Sequence, residues 1–389
     1  MSHPLSRQAA IVGIGQTEFS KESGRTELQL ACEAIKAALD DAGLNPSDVD
    51  GLVTFTLDNN EEMEVGRNLG IDSVRLLSRI PYGGGAAAGT VLQAAMAVAT
   101  GVADVVVIYR ALNERSGLRF GNFGGDITTM PLFLSWYAPF GLLTPASWVA
   151  MQANRYMDAY GVTNEDFGRI AVVDRAHAAT NPAAWFYERP ITLEDHQASR
   201  WVVEPVLRLL DCCQESDGAV ALVVTSTERA RDLRQTPAVI EAAAQGAAGD
   251  GELMTSYYRD EIAALPEMKV VADQLWTQSG LRPDDISTAF LYDHFTPFVL
   301  MQLEDLGFCG RGEAKDFATV ERLSWGGELP INTNGGLLGE AYIHGMNGIT
   351  ESVRQLRGTA CNQVPDVEHV LVTAGTGVPT SGLILGRDG

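Results

Sequence analysis

The stretch "AGLNPSDVDGLVTF", residues 42–55, can be laid without a gap over "SGLRPDDISTAFLY", residues 279–292, and that match decides the fold. In each copy an amphipathic run stops at a glycine, a turn follows at a proline, and a short apolar strand comes next. The match predicts an internal duplication.

The correspondence extends in both directions. Downstream of the first copy, "GGGAAAGTVLQAAMAVATGVADVVVIYRA" at 83–111 reads as a glycine-opened, small-residue helix running into the strand "DVVVIY". Its counterpart is "GMNGITESVRQLRG" leading into "HVLVTAG". Upstream, each half starts with a strand, "AAIVGIG" at 9–15 and "AVIEAAA" at 238–244. Two copies of a strand and helix alternation with near-continuous apolar strands predict an α/β protein whose buried sheets are covered by helices. The expected organisation is an amino-terminal half over 1–113, an inserted loop domain over 114–235 and a carboxyl-terminal half over 236–389. The insertion is rich in aromatic residues and glycine around 117–148. It closes with "VVEPVLRLLDCCQESDGAVALVVTS", a strand-like run returning to the core.

Composition narrows the function. The 389 residues are 46% hydrophobic and carry a net charge of −22, from 50 acidic against 28 basic side chains. Nucleic acid and anionic membrane surfaces are poor partners for such a chain, because both require basic patches. No segment reaches the roughly 20 apolar residues of a membrane span, and the amino terminus has no secretory pattern, so a cytoplasmic protein is expected. The five cysteines, Cys32, Cys212, Cys213, Cys309 and Cys361, show neither disulfide nor zinc spacing. The six histidines are scattered, and His294 and His344 form no metal-ligand motif, so no metal is expected. Gly-Gly pairs occur without a G-x-G-x-x-G or phosphate-loop lysine motif between a strand and a helix.

Chemistry gathers in "GGLLGEAYIHGMNG", residues 335–348, where five glycines surround Glu340, Tyr342 and His344, and in "YDHF", residues 292–295. So many glycines let backbone approach something closely. Together with the duplication, the insertion ending in "ESDGAVALVV" and the stretch "NTNGGLLGEAYIHGMNG", these motifs resemble the thiolase superfamily, in particular its sterol-carrier and lipid-transfer branch. The resemblance covers nearly the whole chain. It implies a duplicated five-layered α/β/α/β/α fold and a homodimer formed through it.

The resemblance also shows what is missing. The nucleophilic cysteine of a thiolase would fall in "YGGGAAAG", near Gly84, where no cysteine stands, and glycine cannot form an acyl-enzyme. Tyr292 replaces the Asn or His that opens the family's tetrapeptide, and Tyr342 replaces the histidine of its Gly-His-Pro motif. Thr373 and Ala374 lie where a second cysteine would be. Decay to a non-catalytic lipid or acyl-CoA carrier, the competing reading, would be expected to install small or apolar residues. Here both positions have gained a phenol, which can donate a hydrogen bond or transfer a proton. A thiolase of unusual mechanism is disfavoured by the missing cysteine.

Sites of this fold hold a coenzyme A thioester so that an enolate can form beside its carbonyl. A retro-aldol needs that enolate and no covalent intermediate, and with the thioester as electron sink a Schiff-base lysine is unnecessary. The pattern "YDHFTP" with "GEAYIHG" and no nucleophile is similar to the lipid-transfer-type aldolases of bacterial steroid side-chain degradation. That resemblance implies cleavage of 17-hydroxy-3-oxo-4-pregnene-20-carboxyl-CoA into androst-4-ene-3,17-dione and propionyl-CoA, with no cofactor beyond the coenzyme A of the substrate. It implies a small OB-fold partner protein, in a heterotetramer. Tyr292 and Tyr342 are the expected acid and base, in either order, and His294 a secondary catalytic candidate able to stabilise a phenolate. His344 and Asn334 are candidates for holding the coenzyme A thioester. The aromatic stretch 117–148 is expected to offer an apolar surface to the sterol or to a subunit contact.

Overall fold

The computed structural model describes residues 3–117, 119, 132–377 and 380–388. Residues 118 and 120–131, most of the glycine-rich part of the aromatic stretch, lie outside the described residues.

The amino-terminal half runs β1 (Ala9–Gln16), α1 (Glu27–Ala42), β2 (Gly51–Phe55), α2 (Glu62–Leu69), β3 (Leu76–Ile80), α3 (Ala87–Ala99) and β4 (Val105–Asn113). Then come α4 (Leu132–Tyr137), α5 (Pro145–Tyr160), α6 (Asn164–Thr180), α7 (Leu193–Ala198) and a hairpin of β5 (Trp201–Val203) and β6 (Leu207–Arg208). Strand β7 (Asp217–Ser226) and α8 (Thr227–Ala230) follow. The carboxyl-terminal half contains β8 (Ala238–Gly246), α9 (Pro266–Ser279), β9 (Thr288–Phe290), α10 (Thr296–Asp305), α11 (Ala314–Phe317) and α12 (Val320–Leu323). It ends with α13 (Gly336–Gly339), α14 (Met346–Arg357), β10 (His369–Ala374) and β11 (Thr380–Arg387).

The two matched stretches fold alike down to single hydrogen bonds. Helix α1 starts where the Thr26 side chain accepts the Gln29 N–H, and it buries Leu30, Ala31, Ala34, Ile35, Ala38, Leu39 and Ala42 along one face. Glycines in the left-handed conformation stop both helices, Gly43 (φ 74°) after α1 and Gly280 (φ 73°) after α9. In the turn, the Asp48 carboxylate accepts the Asn45 N–H at 2.8 Å, and Asp285 accepts the Arg282 N–H at 2.8 Å. Just before each strand a side chain ties down the start of its parallel neighbour. Asp50 accepts the N–H groups of Asp104 (2.9 Å) and Val105 (2.8 Å), while Ser287 Oγ accepts those of Glu368 (3.0 Å) and His369 (3.5 Å).

Among the described residues these strands form a nine-stranded sheet in the order β3-β2-β4-β7-β1-β8-β11-β10-β9. Read inward from each edge, β2-β4-β7-β1 and β9-β10-β11-β8 repeat one arrangement, with β2 parallel to β4 and β9 parallel to β10. The halves join where β1 pairs antiparallel with β8 at Ala10–Val239 and Ile11–Ala238. Strand β3 has only a remnant counterpart, a parallel bridge between Ala289 and Ile331. Strand β7, inside the 114–235 segment, lies between β4 and β1 and completes the amino-terminal set.

Side-chain alternation along the strands sorts the core into layers. On one face of β4 and β7, Val106, Ile108, Val220 and Leu222 pack with α3 and α14; on the other, Val105, Val107, Ala219 and Ala221 pack with α1. In the second half, Val370, Val372, Leu383 and Leu385 join the α3 and α14 cluster, while Leu371 and Ile384 turn to α9 and α10. Helices α3 and α14 are thus the middle layer of a five-layered α/β/α/β/α arrangement, as expected. Their amino ends carry Gly84 and the Tyr342–Gly345 turn, which the shared layer brings together.

Candidate active site

Tyr292 follows β9, and its backbone is held on both sides. Its N–H is shared between Thr373 Oγ1 (2.9 Å) on β10 and Gln302 Oε1 (3.2 Å) on α10, and its carbonyl accepts from Gln302 Nε2 at 2.9 Å. Thr373, at the position of a second cysteine, is therefore a positioning group for Tyr292. The buried ring points into the middle layer against Gly345, where a Cβ would come within 3.1 Å of it. At the start of α3, a Cβ on Gly84 would overlap the Tyr292 hydroxyl. The phenol occupies the space that a nucleophilic side chain at 84 would need.

Tyr342 arrives from the other side. Its N–H donates to Ser216 Oγ at 3.1 Å, and it bridges Glu215 in parallel fashion. The Tyr292 and Tyr342 hydroxyls lie 3.0 Å apart, a hydrogen bond in which either can donate. Burial pushes both phenols well above the usual phenol range, so neutral hydroxyls are the resting state. Tyr342 keeps part of its surface open, whereas Tyr292 sits behind it.

His344 is buried edge-on to Tyr342, ring centroids 5.2 Å apart. Its Nδ1 accepts from Arg110 Nε at 3.0 Å, and Arg110 Nη1 forms a fully buried ion pair with Asp58 at 2.9 Å. A guanidinium can only donate, so Nδ1 is the bare nitrogen and the ring proton sits on Nε2. Burial and the Arg110 charge hold the ring well below the usual histidine range, keeping it neutral. A Cβ on Gly83 would stand 2.9 Å from its Cε1 and Nε2, so the ring lies directly under the glycine loop. Ser381 Oγ on β11 donates to Gly85 O at 2.6 Å and anchors that loop from the second half.

His294 packs at a tilt against Tyr292, ring centroids 4.7 Å apart, with Nε2 3.5 Å from Thr376 Oγ1. Burial takes it down to about 3, so it cannot supply the positive charge expected to stabilise a phenolate. Asn334, expected to hold the thioester, is instead fully buried and used within the fold. Its amide donates to Glu340 and its oxygen accepts the Gly336 N–H at 3.2 Å. Glu340 also accepts from Asn347 (2.8 Å) and Asn181 (3.1 Å), which braces the turn carrying Tyr342 and His344. Burial pushes Glu340 up to about 7. Asp293 caps the start of α13 through the Leu337 (2.9 Å) and Leu338 (3.0 Å) N–H groups and faces Asp174, whose carboxyl burial and Asp293 push well up.

Sequence reading missed Arg110, Asp58, Glu114 and Lys21. Arg110 left a signal, a charge inside the apolar strand "VVVIYRAL". Glu114, one residue beyond β4, is 3% exposed. Lys21 donates to Gln214 Oε1 (2.6 Å) and Glu215 O (2.5 Å), and burial draws it down to about 8. Among the described residues no three His, Cys, Asp or Glu side chains are grouped as metal ligands, and no helix is long and apolar enough to cross a membrane.

The thiolase C-terminal domain-like family matches residues 251–387. The chain is 67% identical to the steroid side-chain-cleaving aldolase of Thermomonospora curvata, over 99% of each chain. It is 66% identical to the 17-hydroxy-3-oxo-4-pregnene-20-carboxyl-CoA lyase of Mycobacterium tuberculosis, over 98% of this chain and 100% of the other. A solved Ltp2-ChsH2(DUF35) aldolase superposes with a TM-score of 0.95 at 67% identity, over 99% of each chain. The chain belongs to the steroid side-chain-cleaving aldolases, a family built on the thiolase fold.

Proposed function

We propose that this chain is a carbon–carbon lyase that cleaves 17-hydroxy-3-oxo-4-pregnene-20-carboxyl-CoA by retro-aldol reaction into androst-4-ene-3,17-dione and propionyl-CoA. The 3.0 Å contact between the Tyr292 and Tyr342 hydroxyls carries this reading. Burial makes a standing phenolate costly at either residue, so the two phenols work as a neutral relay. One takes the proton of the substrate hydroxyl as it passes its own to the other, and the second delivers its proton to the α carbon. Meanwhile the oxygen of the former hydroxyl becomes a ketone, the bond between the α and β carbons breaks, and its electron pair moves onto the thioester as an enolate. Both phenols end neutral, as they began. The Nε2–H of neutral His344 suits the enolate oxygen, while His294 and Asn334 support Tyr292 and the glycine-rich turn.

The M. tuberculosis relative is named for this substrate, and the T. curvata relative for side-chain cleavage. The solved Ltp2-ChsH2(DUF35) assembly supports a small partner protein for this chain too, which we take to be of OB-fold type in a heterotetramer around a homodimer. The half-buried edge strand β3, beside exposed Leu77, Met63 and Tyr82, offers a face for a second copy. The five cysteines are free thiols, which fits a reducing cytoplasm. We keep 1–113, 114–235 and 236–389 as the domain division, with β7 of the middle segment built into the first half.

The test is to co-express the chain with its partner, supply the steroid thioester and follow propionyl-CoA. Turnover that collapses in folded Tyr292→Phe and Tyr342→Phe supports the reading; binding without turnover would instead make the protein a carrier.

A further inference from the structure

We propose that Glu114 is a third hydrogen-bond donor of this site, a carboxylic acid whose Oε2–H is held for the oxygen that gains charge when the carbon–carbon bond breaks. The proposal rests on the retro-aldol reading above.

Strand β4 supplies the first observation. Along a strand every second residue shares a face, which puts Arg110 and Leu112 on the side of Ile108 and the middle layer, and Glu114 follows one residue beyond the strand, near enough to interact with the Arg110 charge. That is the side on which Arg110 holds His344. The second observation is the carboxyl itself. It is 3% exposed, its Oε2 has no hydrogen-bond partner among the described residues, and it faces the backbone N–H of Ser216, whose hydroxyl holds the Tyr342 N–H. A bare carboxylate oxygen in that position is unfavourable, because nothing repays its lost hydration. A protonated one is a donor waiting for an acceptor.

The charges around it agree. Glu114 interacts with Glu215, Arg110 and Lys21, and both phenols and Cys213 sense it in turn. Burial, then Glu215, push the carboxyl up to about 8 against the pull of Arg110 and Lys21, so it is neutral at pH 7. Carboxylic acids kept neutral by their surroundings serve as oxyanion donors in other enolate-forming sites. No proton leaves Glu114 in the step: the proton taken from the substrate hydroxyl and the one delivered to carbon both travel through the tyrosines.

The experiment compares kcat and KM for the steroid thioester between about pH 6 and 9.5 in the full complex with the partner. Wild type, Glu114→Gln, Glu114→Ala and Lys21→Met are measured, with Tyr342→Phe as control. For the wild type, kcat/KM should fall as pH rises through about 8, where the carboxyl ionises and repels the enolate. Glu114→Ala should lose about 10²–10³-fold in kcat with little change in KM. Glu114→Gln keeps an N–H donor that cannot ionise, so it should lose less and show no such fall, while Lys21→Met should retain it. Persistence of the fall in Glu114→Gln with its disappearance in Lys21→Met would overturn the proposal, as would a Glu114→Ala enzyme within about threefold of wild type. Should Glu114→Ala not fold, the pH profile of the near-isosteric Glu114→Gln decides. A wild-type complex that binds the steroid thioester without cleaving it would overturn the retro-aldol reading itself, and an active Tyr342→Phe enzyme would remove Tyr342 from the mechanism; an inactive one beside unaffected Glu114 variants would overturn only the role of Glu114.

Discussion

Gly84 and Tyr292 occupy one space: a Cβ on Gly84 would overlap the Tyr292 hydroxyl, although 208 positions separate them in the chain. In a thiolase that space belongs to the nucleophile's side chain. Here the phenol at 292 stands where it does because residue 84 has no side chain.

Gly84→Ala is therefore expected to inactivate the enzyme as deeply as loss of the Tyr292 hydroxyl, because the methyl group forces the phenol away from Tyr342. Gly84→Cys should lose lyase activity without gaining acetyl transfer between coenzyme A thioesters. Steady-state lyase assays and a structure of the Ala variant check this, and an active Gly84→Ala enzyme with Tyr292 in place would refute it.

The proposed relay would make the two tyrosines one device. Tyr292→Phe and Tyr342→Phe should each lower kcat by about 10²–10⁴-fold. The double variant should be little worse than either single one, since cutting a relay twice does no more than cutting it once. Multiplying effects would mean that the two phenols act independently.

Arg110 and Asp58 form an ion pair with almost no solvent contact. Arg110→Met strands the Asp58 carboxylate and removes the donor that bonds His344 Nδ1, so it should cost about 3–5 kcal/mol in unfolding by denaturant. Pairing it with Asp58→Asn should recover part of that loss. An unchanged denaturation midpoint in Arg110→Met would show that the pair is dispensable.

His177 bonds Asn332 O through Nδ1 (3.2 Å) and accepts the Trp325 N–H at Nε2 (2.9 Å). Burial lowers it from 6.5 to about 4, so the unfolded chain takes up this proton first as the solution is acidified. Its stabilising contribution is complete above pH 6.5 and is lost as pH falls toward 4, about 3 kcal/mol. The stability gap between wild type and His177→Gln should narrow over that window in urea titrations; a gap independent of pH would contradict the shift.

The duplicated core was legible in one dimension because its determinants are local. Helical spacing, the left-handed glycines at 43 and 280 and the aspartates at 48 and 285 act within a few residues of themselves, so they appear as a repeat in the sequence. The missing nucleophile at Gly84 and the phenols at Tyr292 and Tyr342 were legible too, as departures within matched motifs.

Roles that depend on what lies opposite were not. "NTNGG" reads as a ligand-binding loop, yet the Asn334 amide is spent on Glu340 inside the fold. His294 looks like an available base or cation until burial makes it neutral. Glu114 and Lys21 look like ordinary surface charges at 114 and 21 until the return of β7 encloses them. The sequence by itself determined the repeated α/β architecture, the lost thioester chemistry and the pair of phenols. Tertiary structure alone decided that those phenols meet at 3.0 Å, that Arg110 sets the tautomer of His344, and which acids keep their protons. Hydrogen-bond partners and desolvation come from contacts between residues far apart in the chain, within the carboxyl-terminal half for Tyr292 and Tyr342 and across the halves for Arg110 and His344, and no local stretch of sequence contains them.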